Sequence, residues 1–190
     1  MDRSQLNMAK NLVYRNPAVA LRELRAIEID IAGLDLPPEV KHLRTNDLKN
    51  VKEYRHAALF CYGMSKRMGT DIRFCPMEDS DYDFIATWQF GLDRHFATVQ
   101  LKEFVPEELN PDLAVQNLID RLSKYPASEN LTVVIVLNRN SSFIASELVI
   151  PKLNIAALWL IASISEDQSQ WRIFGNLMDS PSLSDFEYPA

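Results

Sequence analysis

Residues Leu131 to Leu137 read Leu-Thr-Val-Val-Ile-Val-Leu, an almost unbroken apolar run. A strand with one wet face alternates apolar and polar side chains, whereas a continuous run of this length suits a strand covered on both faces. A chain containing such a strand must supply layers for both sides of a sheet. The expected fold is therefore α/β, at the α+β borderline, with a mixed central sheet flanked by helices. The chain has 190 residues, which is enough to bury one core and short for two ordinary domains. With 47% hydrophobic and 24% charged residues it has a globular composition.

The flanking elements follow from periodicity and end signals. Asn16-Pro17 is an N-cap followed by a proline at the first helical position. Ala20, Leu21, Leu24, Ile27 and Ile31 then recur at helical spacing up to Gly33. Pro37-Pro38 marks a turn or loop. A longer helix is predicted from Thr45-Asn46 to Met68, ending at Gly69, with Ala57, Phe60, Met64 and Met68 on one face. Glu53 falls on that apolar side, where an unpartnered carboxylate is costly. Three strands are predicted next, over Ile72–Cys75, Tyr82–Phe90 and His95–Phe104, the last two joined by a hairpin turn at residues 91–94. A helix from Asn110-Pro111, the buried strand, a short helix over Ser142–Leu153, and strands Leu158–Ser165 and Trp171–Leu177 complete the order. The reading gives one domain over residues 1–178, with a helical extension over 1–44 and a core region over 45–139. Residues 179–190 read as a loose acidic tail.

Several function classes find no support. No apolar stretch reaches the roughly 20 residues of a membrane helix, and residues 1–12 have no apolar leader core. A cytoplasmic protein is the expectation. Cys61 and Cys75 lie in apolar elements without a CxxC pair and read as buried, reduced thiols. His42, His56 and His95 lack zinc-ligand spacing. Neither a GxSxG elbow nor a phosphate-binding glycine loop occurs. The net charge of −6 argues against indiscriminate coating of nucleic acid, but a local site remains compatible with it.

One constellation carries chemistry. Residues two apart in a strand share a face, so Gln100 and Lys102 point the same way. Asp83 opens the preceding strand, and a hairpin of this length brings the start of one strand beside the end of the next. Asp83, Gln100 and Lys102 are thus expected to converge, with Glu53 reaching them from the long helix. Oxygen donors of this kind suit a hard cation such as Mg²⁺. A lysine beside them can orient a water and offset charge on a phosphate.

These positions, in this element order, resemble the PD-(D/E)XK nuclease superfamily in its QxK variant, over roughly Thr45 to Arg139. The resemblance implies a restriction-endonuclease-like fold and a metal-dependent endonuclease acting on DNA, with RNA as second choice. It implies Mg²⁺ or Mn²⁺ held by Asp83, Gln100 and Glu53, with Lys102 as the catalytic lysine. Tyr82 stands where the motif has proline, and Gln100 replaces an acid. Asp81, on the same strand face as Asp83, is the alternate ligand. Many nucleases of this fold act as homodimers because one active site cuts one strand, although no dimer surface is legible. A catalytically silent member of the fold, serving as a binding or assembly module, is the alternative.

Plainer roles are open for the same residues: an acidic solvated loop around Asp81 and Asp83, the exposed face of a strand for Gln100 and Lys102, and a basic partner for Glu53. Lys52, Arg55, Lys66 and Arg67 read as a solvated basic helix face or a phosphate-steering one. Trp88, Trp159 and Trp171 read as core.

Overall fold

The computed structural model describes residues 1, 3–35, 48–77, 81–107, 109–124, 128–138 and 147–190. Its centre is a seven-stranded mixed sheet whose spatial order follows the chain order. The strands are β1 (Arg73–Pro76), β2 (Phe84–Phe90), β3 (Asp93–Phe104), β4 (Ser128–Leu137), β5 (Ile155–Ser163), β6 (Gln170–Gly175) and β7 (Ser182–Glu187). The β3–β4 and β4–β5 pairs are parallel and the four outer pairs are antiparallel. Strand β4 therefore lies at the centre of a parallel trio. Leu131, Val133, Val134, Ile135 and Val136 are buried to either side of it, as the apolar run requires.

Helices α1 (Arg3–Lys10), α2 (Pro17–Ala32), α3 (Lys49–Met68) and α4 (Val115–Arg121) cover the sheet. Two cores result. Phe84, Val99, Val134, Ile161 and Ile173 pack against α2 and α3, while Ile85, Phe104, Val133, Ile135 and Leu160 pack on the opposite face with α1 and α4. The fold is of the α/β class, with sheet alternation dividing each strand between two apolar layers.

The end signals explain where the helices sit. Asn16 Oδ1 accepts from Ala18 N–H at 2.9 Å and from Val19 N–H at 3.2 Å, capping α2. Gly69 ends α3 with φ of 64°, a left-handed position that glycine adopts without strain. Arg15 and Phe74 exchange backbone hydrogen bonds of 2.7 and 3.2 Å, which covers the outer edge of β1.

Several expectations need correction. The segment after Met178 is not loose: Ser182–Glu187 pairs with β6 along its length, and Phe186 is buried against α3. Short and acidic, it still alternates enough to close the sheet. The helix expected from Asn110 begins at Val115, where Asn117 Oδ1 accepts from Ala114 N–H at 2.8 Å. Residues 142–146 of the expected helix Ser142–Leu153 lie outside the described residues, and the stretch 148–153 is not helical, as Pro151 favours. Thr45-Asn46 and Pro37-Pro38 also lie outside the described residues. Cys61 is fully buried as expected, but Cys75 is only half-buried.

The packing of β7 on α3 is close enough to test. A Cβ on Gly63 meets Ile173 Cδ1 and Phe186 Cε1, both at 2.5 Å. Both neighbours are core side chains that must repack together. Gly63→Ala is expected to cost about 1–3 kcal/mol through overpacking, despite the gain in helix propensity, as read by urea denaturation.

Candidate functional site

Asp83 stands one residue before β2, and its backbone is fixed from both sides. Its N–H donates to Val99 O at 2.9 Å and its carbonyl accepts from Met77 N–H at 2.9 Å. The register pairs Phe84 with Val99, which sets Asp83 opposite Gln100. Gln100 Nε2 donates to Asp83 Oδ2 at 2.9 Å, and Leu101 N–H donates to the same oxygen at 2.5 Å. An ionised carboxylate only accepts, so Gln100 must turn its amide nitrogen towards Asp83 and its Oε1 elsewhere. Among the described residues both bonds fall on Oδ2, leaving Oδ1 with acceptor capacity to spare.

A cavity of about 500 Å³ opens between α2, α3 and the adjoining ends of β1 and β2. Among the described residues Glu53 and Asp83 are the acids that line it. Leu24, Ile27, Tyr54 and Phe84 contribute to its apolar wall, and among the described residues no Lys or Arg lines it. Ile27, on the apolar face of α2, is 53% exposed and borders this opening. Glu53 pairs with Lys49 at 3.5 Å, but that lysine side chain is 67% exposed, so the pair is weak.

Sheet alternation separates the remaining candidates. Val99, Leu101 and Glu103 face α3, whereas Gln100, Lys102 and Phe104 face the α4 side. The structure thus brings Gln100 into contact with Asp83, and sets Glu53 on the same cavity as Asp83. Glu53 is not on the strand face of Gln100 and Lys102. Asp81 is exposed, with buried Tyr82 between it and Asp83. Among the described residues no three His, Cys, Asp or Glu side chains gather as a metal group. The donors to hand are Asp83 Oδ1, Gln100 Oε1 and the Glu53 carboxylate, all oxygens, which fit a hard cation better than zinc.

A second polar cluster lies under α3, at the carboxyl ends of the parallel strands β3 and β4. Lys52 Nζ donates to Glu103 Oε2 at 2.6 Å, and Asn138 Nδ2 donates to Glu103 Oε1 at 2.8 Å. His56, 6% exposed, packs in the same region. Burial, followed by the Arg55 charge, pushes His56 down to about 4 from its ordinary 6.5. Burial alone raises the Glu103 carboxyl, but the bonds from Lys52 and Asn138 and the charges of Lys52 and His56 outweigh it and hold it below its ordinary value. Sequence reading missed this cluster. Its one signal is Glu103, an acid in the strand row otherwise filled by Val99 and Leu101.

The sign of the pH effect follows. Below pH 6.5 the unfolded chain protonates His56 while the folded chain resists until about pH 4. The stability is full above that window and is lost as pH falls through it. Glu103, depressed in the folded state, acts in the same direction at lower pH. Stability is expected to fall by up to about 1.4 kcal/mol per pH unit between pH 6.5 and 4, and His56→Leu to flatten that slope, in denaturant titrations at stepped pH.

The basic residues of α3 do not form one outer face. Arg55 is buried, donating to Glu28 Oε1 at 2.7 Å and Gln168 Oε1 at 2.6 Å with its guanidinium over Trp171. Arg67 donates to Ser182, Ser184 and Gly175 and lies over Trp159. These cations clamp β6, β7 and the turn before β6 onto the helix, because both α2 and the last strands pack over it. Trp171 is core as expected, whereas Trp88 is half-buried and stacks on His95 with centroids 5.4 Å apart.

Among the described residues no helix is long and apolar enough to cross a membrane. Comparison with protein-family models, with curated proteins and with solved structures gave no match to this chain.

Proposed function

We propose that this protein is a Mg²⁺- or Mn²⁺-dependent nuclease of restriction-endonuclease-like fold that hydrolyses phosphodiester bonds in nucleic acid, DNA before RNA. The observation that carries the reading is the Asp83–Gln100 hydrogen bond at 2.9 Å at the mouth of the β2–β3 hairpin, on a cavity that also takes Glu53. The order helix, three strands, helix, strand, with β4 parallel to β3, supports it.

In this reading Asp83 Oδ1 and Gln100 Oε1 would hold the cation, with Glu53 approaching Asp83 from the α3 side of the sheet. A bound cation would supply polarisation of the phosphate and a lowered pKa for the attacking water. The chain's own residues do the rest. Leu101 N–H and Gln100 Nε2 fix the carboxylate plane of Asp83. Lys102, next on Gln100's side of β3, orients the attacking water and offsets charge on the phosphate. The water oxygen bonds to phosphorus and gives up a proton to solvent, the P–O bond to the departing sugar breaks, the sugar oxygen takes a proton from solvent, and one strand is cut. The fixed hairpin supplies the positioning.

The test is cleavage of a plasmid and of a single-stranded oligonucleotide with Mn²⁺, Mg²⁺ or EDTA. Metal-dependent cutting that Lys102→Ala removes is the expected result. No cutting with either metal, or cutting unchanged in EDTA, overturns the reading. The second reading, a catalytically silent binding or assembly module, draws on the same bonds, since Asp83 already accepts two hydrogen bonds within the chain. It predicts that Mn²⁺ does not raise the melting temperature.

A further inference from the structure

We propose that the cavity beside Asp83 receives an unstacked nucleobase, so that the substrate is single-stranded or locally unpaired nucleic acid rather than continuous duplex. The inference rests on the nuclease reading and adds the class of substrate.

The cavity wall combines the Tyr54 ring with Leu24, Ile27, Val51 and Phe84, and Glu53 and Asp83 are neighbours of this apolar surface. At about 500 Å³ it falls in the range of pockets that enclose organic ligands. Away from Glu53 and Asp83 the described lining is mostly apolar and holds no cation, so the body of the cavity suits a neutral group better than a phosphate. A nucleobase is flat and neutral, and would leave its phosphate at the rim, where Asp83 stands.

The cations of the surrounding elements favour the same substrate. A protein that tracks a duplex by its backbone needs a row of available Lys and Arg. Among the described residues here, Lys52 and Arg55 are held in part-buried pairs with Glu103 and Glu28, at 2.6 and 2.7 Å, which leaves the exposed Lys49 and Arg73 for phosphate. With net charge −6 and those two cations engaged, base contacts in the cavity must add to phosphate contacts. In a duplex each base must first be unpaired and unstacked before it can enter, so an already unpaired strand binds better.

The experiment measures fluorescence anisotropy of a labelled 12-nucleotide single strand and of the duplex of the same sequence, in Ca²⁺ to permit binding without turnover. The single strand is expected to bind about tenfold tighter or more. Ile27→Trp, at a partly exposed position on the cavity rim, is expected to abolish that preference while leaving the fold intact by circular dichroism. A second plug, Val51→Trp, guards against a local defect in the first. Equal or tighter duplex binding, no measurable binding of either oligonucleotide, or a preference that survives both plugs overturns the inference. Mn²⁺-dependent cleavage is scored separately. Cutting of duplex and single strand at equal rates sinks the inference and spares the nuclease reading, whereas single-strand binding without cutting does the reverse.

Discussion

Asp83→Ala is expected to lower metal-dependent cleavage by about a hundredfold or more while leaving the melting temperature within a few degrees. Loss of a residue that merely supports a metal ligand costs about 10–100-fold in affinity or activity, so loss of a ligand should cost at least as much. Asp83 is the one candidate held at four points: two backbone bonds fix its position and two bonds to Oδ2 fix its carboxylate. Asp83→Asn separates charge from shape. It keeps an oxygen for Leu101 N–H but loses the negative charge, and is expected to be nearly as inactive as alanine. Cleavage within tenfold of the unaltered protein in both variants, at matched fold by circular dichroism, counts against Asp83 as a ligand.

The largest effect on stability is expected next door. Phe84 is fully buried and meets Phe74 edge-on, with ring centroids 6.3 Å apart and planes at 83°. It belongs to the core between the sheet and α3, and its backbone follows directly on Asp83. Phe84→Ala removes a ring from a close-packed layer and leaves a cavity that neither β2 nor α3 can collapse to fill. A loss of about 3–5 kcal/mol is expected in urea denaturation. Because the same layer sets the position of Asp83, cleavage should fall even where the variant stays folded. A loss below about 1 kcal/mol would mean that the layer is loosely packed.

The comparison of sequence with structure separates what short-range pattern encodes from what it does not. The run Leu131–Leu137 correctly placed a strand with both faces covered, because burial on two sides leaves no room for polar residues. Hairpin length brought Asp83 and Gln100 together, but the register that sets them opposite each other comes from a two-residue turn at Gly91-Leu92, where a turn over residues 91–94 was expected. Segment Ser182–Glu187 failed to read as a strand because an edge strand needs only a few apolar anchors, here chiefly Phe186. The basic face of α3 was misread for a related reason: helical spacing says which residues share a side, but not that β6 and β7 fold back over it. Glu53 shows the same limit. Its place on the apolar side of the helix was legible, whereas the strand face it meets depends on how α3 crosses the sheet.

The measurement that bears most directly on the central claim is a crystal structure of the protein grown with Mn²⁺, with data collected at the manganese absorption edge. The account predicts an anomalous peak at the mouth of the β2–β3 hairpin, within roughly 2.0–2.6 Å of Asp83 Oδ1. The absence of a peak there at millimolar Mn²⁺, with Asp83 still bonded only to Gln100 and Leu101, would contradict it.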